Sequence, residues 1–273
     1  MGFKNTLIPS IIILILSLLL PFVVPFVAAG YTSSLSVGST KLVVNVPPPP
    51  PGYEKYAGRW SIAKGVEVSE GPVPYPYKHL GAETNYGKNT GIIAQIYVTD
   101  PEVPHDGSYD YFFYSWVMIY NNARDKWIQV GWSEVSWRDN RQYVTVYDTE
   151  ANQWYFFPEY SLTIGSCYYF AINYQGNGKW AAWIWWDNEW KLLRIANIEV
   201  YSAELTGQFC EVYSRPEIWF NVPNTRFYPT YLLIDNQWQL WTTAYPTTEY
   251  NSNPPYYVHW SNRYYDWYMY KEV

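Results

Sequence analysis

Cysteine, histidine and charge are all scarce in this chain of 273 residues. The two cysteines, Cys167 and Cys210, are too few for a cysteine-built metal site. The three histidines, His79, His105 and His259, stand far apart in Pro- or Tyr-rich contexts, which argues against a His-ligated metal or a Ser-His-Asp triad. No metal and no cofactor is therefore expected. Charged residues make up 15% of the chain and the formal net charge is −6, with Lys and Arg scattered, so a nucleic-acid partner is excluded as an expectation. No stretch holds a helical period, and beyond the N-terminal run none is long and apolar enough to span a bilayer.

What the chain has instead is aromatic: Trp, Tyr and Phe reach 21%, giving a surface of phenolic and neutral polar groups. Its charge changes mainly by protonation of carboxylates, which suits an acidic extracellular medium. Residues 1–29 join Lys4, the apolar run "IIILILSLLLPFVVPFV" and the small-residue exit "AAG", the layout of a secretory signal. Export with cleavage near Ala29 is expected, leaving no membrane association; a retained anchor is the alternative, against which Pro21 and Pro25 weigh. In the oxidising compartment so implied, Cys167 and Cys210 are expected to form one structural disulfide.

Prolines 47–51 favour a stiff extended spacer, so residues 30–80 read as a pro-segment or arm and residues 81–273 as the main domain. That domain is built of short β-branched and aromatic runs such as "GIIAQIYV", "FFYSWVMIY", "KWIQVGWSEV", "QYVTVYD", "WAAWIWWDNEWKLL" and "GQFCEVYS", separated by turn signals such as "NNARD" and "QGNGK". This predicts an all-β, two-sheet antiparallel β-sandwich of jelly-roll, concanavalin-like kind. The Tyr- and Trp-rich stretch 222–273 reads as extra strands that widen the sandwich or cover a groove.

Alternation along a strand sorts side chains by face. In "WIQVGW", Trp127, Gln129 and Gly131 share one face; in "GQFCEVY", Phe209, Glu211 and Tyr213 share one, with Cys210 on the other. Gln129 and Glu211 are thus each set among aromatic or small residues, as on the floor of a cleft.

The order "SWVMIYNN", "WIQVGW", "DNRQYVTVYDT", a strand pair with a "GNGKW" turn, then "GQFCEVYS" and "IWFN" resembles the glutamic peptidases, over residues 110 to 221. It is similar both to the fungal acid enzymes, the eqolisins, whose dyad is a Gln and a Glu, and to the plant neprosin-type enzymes, with two Glu. The resemblance implies a β-sandwich with a concave catalytic face, Gln129 and Glu211 as the catalytic dyad, and Trp127, Phe209 and Tyr213 as substrate-binding walls. It implies a secreted endopeptidase that hydrolyses protein or peptide substrates at acid pH. Peptide hydrolysis needs an activated water, a proton for the amine and donors for the oxyanion, and a carboxyl beside an amide can serve these needs.

Read residue by residue, other roles stay open. Glu134 or Asp139 is a rival second carboxylate, and Glu211 has Arg215 as a candidate ion partner. A non-catalytic extracellular module, binding carbohydrate through stacked Trp and Tyr or forming surface contacts, is the alternative function.

Overall fold

The computed structural model describes residues 31–37, 40–47, 50, 66–68, 77–108 and 110–272, with backbone alone for 31–46 and 66–68. The expected signal at 1–29, its cleavage point and most of the polyproline run lie outside the described residues.

Every described element is a β-strand and every pairing is antiparallel. The strands β1 (Tyr31–Val37) and β2 (Thr40–Val46) pair only with each other. An eight-stranded sheet is built from β3 (Val66–Val68), β4 (Tyr77–Thr84), β6 (Phe112–Tyr120), β7 (Trp127–Val135), β8 (Tyr143–Asp148), β9 (Gln153–Phe157), β13 (Leu205–Tyr213) and β16 (Thr247–Tyr250), in the order β16-β4-β13-β6-β7-β8-β9-β3. The facing sheet contains β5 (Asn89–Tyr97), β10 (Cys167–Gly176), β11 (Lys179–Trp186), β12 (Glu189–Asn197), β14 (Thr225–Ile234), β17 (Ser252–Asn253), β18 (Tyr256–Asn262) and β19 (Asp266–Lys271), ordered β12-β11-β10-β5-β14-β19-β18-β17, with β15 (Gln237–Leu240) beside β14. The molecule is a two-sheet β-sandwich.

The core between the sheets follows from period-two alternation. Ile128, Val130 and Trp132 of β7 pack with Val117 and Ile119 of β6, Val212 of β13, Ile92 and Ile96 of β5 and Ile172 of β10, all fully buried. The outer face of the eight-stranded sheet carries its own buried aromatic cluster of Phe112, Tyr114, Trp116, Phe156, Phe209 and Tyr213. Burying each such ring contributes about 2 kcal/mol, so this face adds its own share to the stability of the sheet.

Two boundaries differ from the sequence reading. The run "WAAWIWWDNEWKLL" is a hairpin, not one strand, because Asp187 and Asn188 both take positive φ, 52° and 62°, the pair of left-handed residues that a tight two-residue turn demands. Within 222–273, β14 is an interior strand of the second sheet, between β5 and β19, while β19 and β18 continue that sheet to β17 at its edge and β16 extends the first sheet beyond β4.

The expected disulfide between Cys167 and Cys210 is not formed; both thiols are free. Cys167 opens β10 in one sheet and is exposed, whereas Cys210 lies in β13 of the other, fully buried beside the Ser115 hydroxyl at 3.7 Å. Burial pushes the Cys210 thiol far above the ordinary range, as suits a core residue.

Candidate active site

The outer face of the eight-stranded sheet holds a cleft of about 400 Å³. Its residues come from five strands: Tyr77 and His79 from β4, Glu211 from β13, Trp127 and Gln129 from β7, Tyr147 from β8 and Trp154 from β9. Asn152, in the β8–β9 turn, completes the rim.

Gln129 and Glu211 reach this cleft from different rows of the sheet. Gln129 faces Met118 across β6 and Tyr147 across β8, whereas Glu211 faces Tyr114 across β6 and His79 across β4. On a flat sheet, two strand spacings and four residues of offset would hold their Cα atoms about 16 Å apart. The sheet is not flat. Trp154 pairs with Tyr147, in the row of Gln129, yet its ring lies 5.3 Å from Tyr114 and 5.9 Å from Phe112. Side chains from separated rows therefore converge along one diagonal of a coiled, concave surface.

Two glycines in the row between make that coiling sterically possible. A Cβ on Gly131 would stand 1.9 Å from the Ser115 carbonyl oxygen, and one on Gly81 2.1 Å from that of Gln208. Gly81 also has φ of 147°, which side-chain-bearing residues avoid. Phe209 and Trp116 occupy the same row, between those of Gln129 and Glu211, with their rings 5.0 Å apart.

Glu211 is 7% exposed and among the described residues its ion-pair partner is His79, whose Nε2 lies 3.3 Å from Oε1. Burial works to lower the His79 pKa, but the charge and hydrogen bond of Glu211 outweigh it and hold the imidazole above its ordinary 6.5. Burial first, and the Glu211 charge second, drive the Tyr77 and Tyr114 phenols well above the usual range, so both stay neutral. The Tyr114 hydroxyl donates to the Thr145 carbonyl at 2.9 Å. The Trp127 indole N–H is buried and meets no acceptor among the described residues.

Of the residues singled out in the sequence, Trp127, Gln129 and Glu211 line the cleft. Phe209 and Tyr213, expected as walls, are not among the lining residues: Phe209 is 5% exposed and packs against Trp116, and Tyr213 is fully buried and stacked on Phe112. The rival carboxylates are elsewhere. Glu134 points to the opposite face of β7, where the His105 ring and the Gln142 amide each reach it at 2.7 Å, and burial raises its pKa against the pull of His105. Asp139 is exposed and engages Tyr143 and Arg141. Arg215 pairs with Asp110, not with Glu211.

His79, Tyr77, Tyr147 and Trp154 join the cleft without being expected there from the sequence. Trp154 and Tyr147 carried a readable signal in their strand alternation. His79 carried none, because its role depends on which strand lies beside β13. Among the described residues no group of His, Cys, Asp and Glu could hold a metal, and no helix is long and apolar enough to cross a membrane.

The other sheet bears a second hollow, of about 520 Å³, lined by Gln95, Tyr97, Cys167, Asn224, Arg226, Tyr228, Ser261 and Tyr268. Its one cation, Arg226, is held by Asp266 through two 2.8 Å hydrogen bonds.

No family model matches the sequence, and no curated protein is found to be similar to it. Among solved structures, scytalido-glutamic peptidase with a transition state analog inhibitor is similar with a TM-score of 0.53 and 12% identity, over 71% of this chain and 98% of that one. The same peptidase with a peptide-based transition state analog gives 0.49 at 12% identity and the same coverage. SCP-B, a member of the eqolisin family of peptidases in complex with the tripeptide Ala-Ile-His, gives 0.45 at 10% identity over 71% and 98%. The first of these likenesses shows a shared β-sandwich fold.

Proposed function

We propose that this chain is a glutamic-type endopeptidase, exported and working at acid pH, in which Gln129 and Glu211 activate water against a peptide bond. The observation that carries this reading is the convergence of these two side chains on one concave cleft, from strands separated by β6. The fold shared with scytalido-glutamic peptidase, an enzyme that takes a transition state analog, supports it.

The chemistry suits the groups. Glu211, as carboxylate, takes a proton from the attacking water, and the Gln129 amide donates to the oxyanion that forms on the scissile carbonyl. An amide adds no second charge to the cleft, so a buried carboxylate can ionise there without a like-charged neighbour. Tyr77, Tyr147 and Trp154 offer neutral aromatic walls to the peptide on either side.

Digestion of a denatured protein from pH 2 to 8 tests the reading. Glu211→Gln keeps shape and removes the base, so hydrolysis should vanish while the fold persists. Gln129→Ala should cost about a hundredfold in kcat, the usual loss of one oxyanion donor.

A second reading draws on the hollow of the other sheet. Its phenols and amides, with the single guanidinium already paired, have the neutral character that suits a sugar ring. Wild-type protein that digests nothing across that pH range yet binds neutral glycans would favour a carbohydrate-binding module.

A further inference from the structure

The cleft holds one titratable base in direct contact with Glu211, and it is not an amide. His79 stands opposite Glu211 in the β4–β13 ladder, Nε2 to Oε1 at 3.3 Å, on the cleft side of the sheet. Its side chain is 48% exposed while that of Glu211 is 9% exposed, so the imidazole reaches from the buried carboxylate to the open cleft. Three rings flank it: Tyr77 at 5.8 Å, Phe209 at 6.4 Å and Trp116, edge-on, at 6.3 Å.

We propose that His79 is the general acid of the reaction, giving its Nε2 proton to the leaving amine while Glu211 serves as the base. The inference rests on the peptidase reading above. The reaction then balances around the pair. Water loses a proton to the Glu211 carboxylate as its oxygen bonds to the scissile carbon, and the carbonyl π electrons move to oxygen. The oxyanion collapses, the C–N bond breaks, and the amine nitrogen takes the Nε2 proton. Glu211 next returns its proton to His79 across their contact, restoring carboxylate and imidazolium. Amide leaving groups need this proton, because an amine anion does not depart in water.

The surroundings favour a charged imidazole. From β13 the facing groups are Glu211 and Tyr213, from β6 Tyr114, from β8 Tyr147 and from its own strand Tyr77; no Asp, Lys or Arg lines the cleft among the described residues. Farther along, Glu83 of β4 is held by Tyr120 and Arg124, and Glu249 of β16 by Tyr264 and Arg263. The Glu211 charge is thus the one strong field on His79, and it holds the proton to higher pH than burial alone would.

The test compares a peptide with the 4-nitrophenyl ester of the same acyl part, whose leaving phenolate needs no proton. His79→Gln should slow peptide hydrolysis by about a hundredfold or more and ester hydrolysis by less than about tenfold. In the wild type, the alkaline limb of kcat/KM for the peptide should coincide with the His79 titration followed by NMR, and that midpoint should drop in Glu211→Gln. Equal losses on both substrates, peptide hydrolysis retained in folded His79→Gln, or a limb more than about one pH unit from the His79 midpoint overturns the role of His79 alone. The wild-type limb decides the matter even where His79→Gln does not fold. A wild type that cleaves no peptide at any pH overturns the dyad reading and this role together.

Discussion

Trp154 shares a ladder row with Gln129 through Tyr147, yet its ring sits 5.3 Å from Tyr114, the cross-strand neighbour of Glu211. One indole therefore spans the two rows from which the amide and the carboxylate come. Trp154→Ala removes the bridge between the cleft halves and should raise KM for peptides while costing about 2 kcal/mol of stability, less than a fully buried Trp would. Steady-state kinetics beside urea denaturation check this. A moved urea midpoint with unchanged kinetics would reduce Trp154 to packing.

His79 makes stability depend on pH in a defined window. Its pKa in the fold is raised above 6.5, so the stabilisation is complete below about 6.5 and fades as pH climbs through the folded value. The stability gap between wild type and His79→Gln should accordingly be widest near pH 5 and close in alkali. Urea titrations at several pH values read it directly, and a gap that stays constant would contradict the His79–Glu211 pairing.

Glu134 separates the two faces of β7. Burial raises its pKa above 4.5, so the fold binds this proton more tightly than the unfolded chain, and stability falls as pH rises from 4.5 through the folded value. Glu134→Gln should flatten that part of the profile. Hydrolysis should survive, since the side chain meets His105 and Gln142 behind the strand and not the cleft. Loss of hydrolysis in a folded Glu134→Gln protein would make Glu134, and not Glu211, the working carboxylate.

The thiols should report their separate sheets. A thiol reagent should modify Cys167 in the native protein and Cys210 only after unfolding, and a reductant should leave Tm unchanged. Mass spectrometry of the labelled chain distinguishes the two. A reductant-sensitive Tm would restore the disulfide.

Gly131 is a steric requirement of the concave face. Gly131→Ala places a methyl 1.9 Å from the Ser115 carbonyl oxygen, backbone that cannot swing aside, and should destabilise the protein by about 3 kcal/mol, measured by urea denaturation.

Much of this architecture was legible in the chain because strand alternation is a local property. Trp127, Gln129 and Phe209, Glu211 fall on their observed face from the period of two alone. What stayed hidden depends on pairing between distant segments. His79 acquires a role only because β4 lies beside β13, and the two cysteines are kept apart only because β10 and β13 enter different sheets. The Asp187–Asn188 turn was masked by aromatic residues on both sides, which made two strands read as one.

Apart from Asn152, every residue lining the cleft sits on a strand with ladder partners in the described structure. Among the described residues, Asn152 in the β8–β9 turn is the one contribution to it from outside the strands. Opening this region would break the sheet, so its central amides should exchange with deuterium only through the global unfolding event, at rates that follow overall stability. Among the described residues the walls of the cleft are therefore set by the sheet itself, before any molecule enters it.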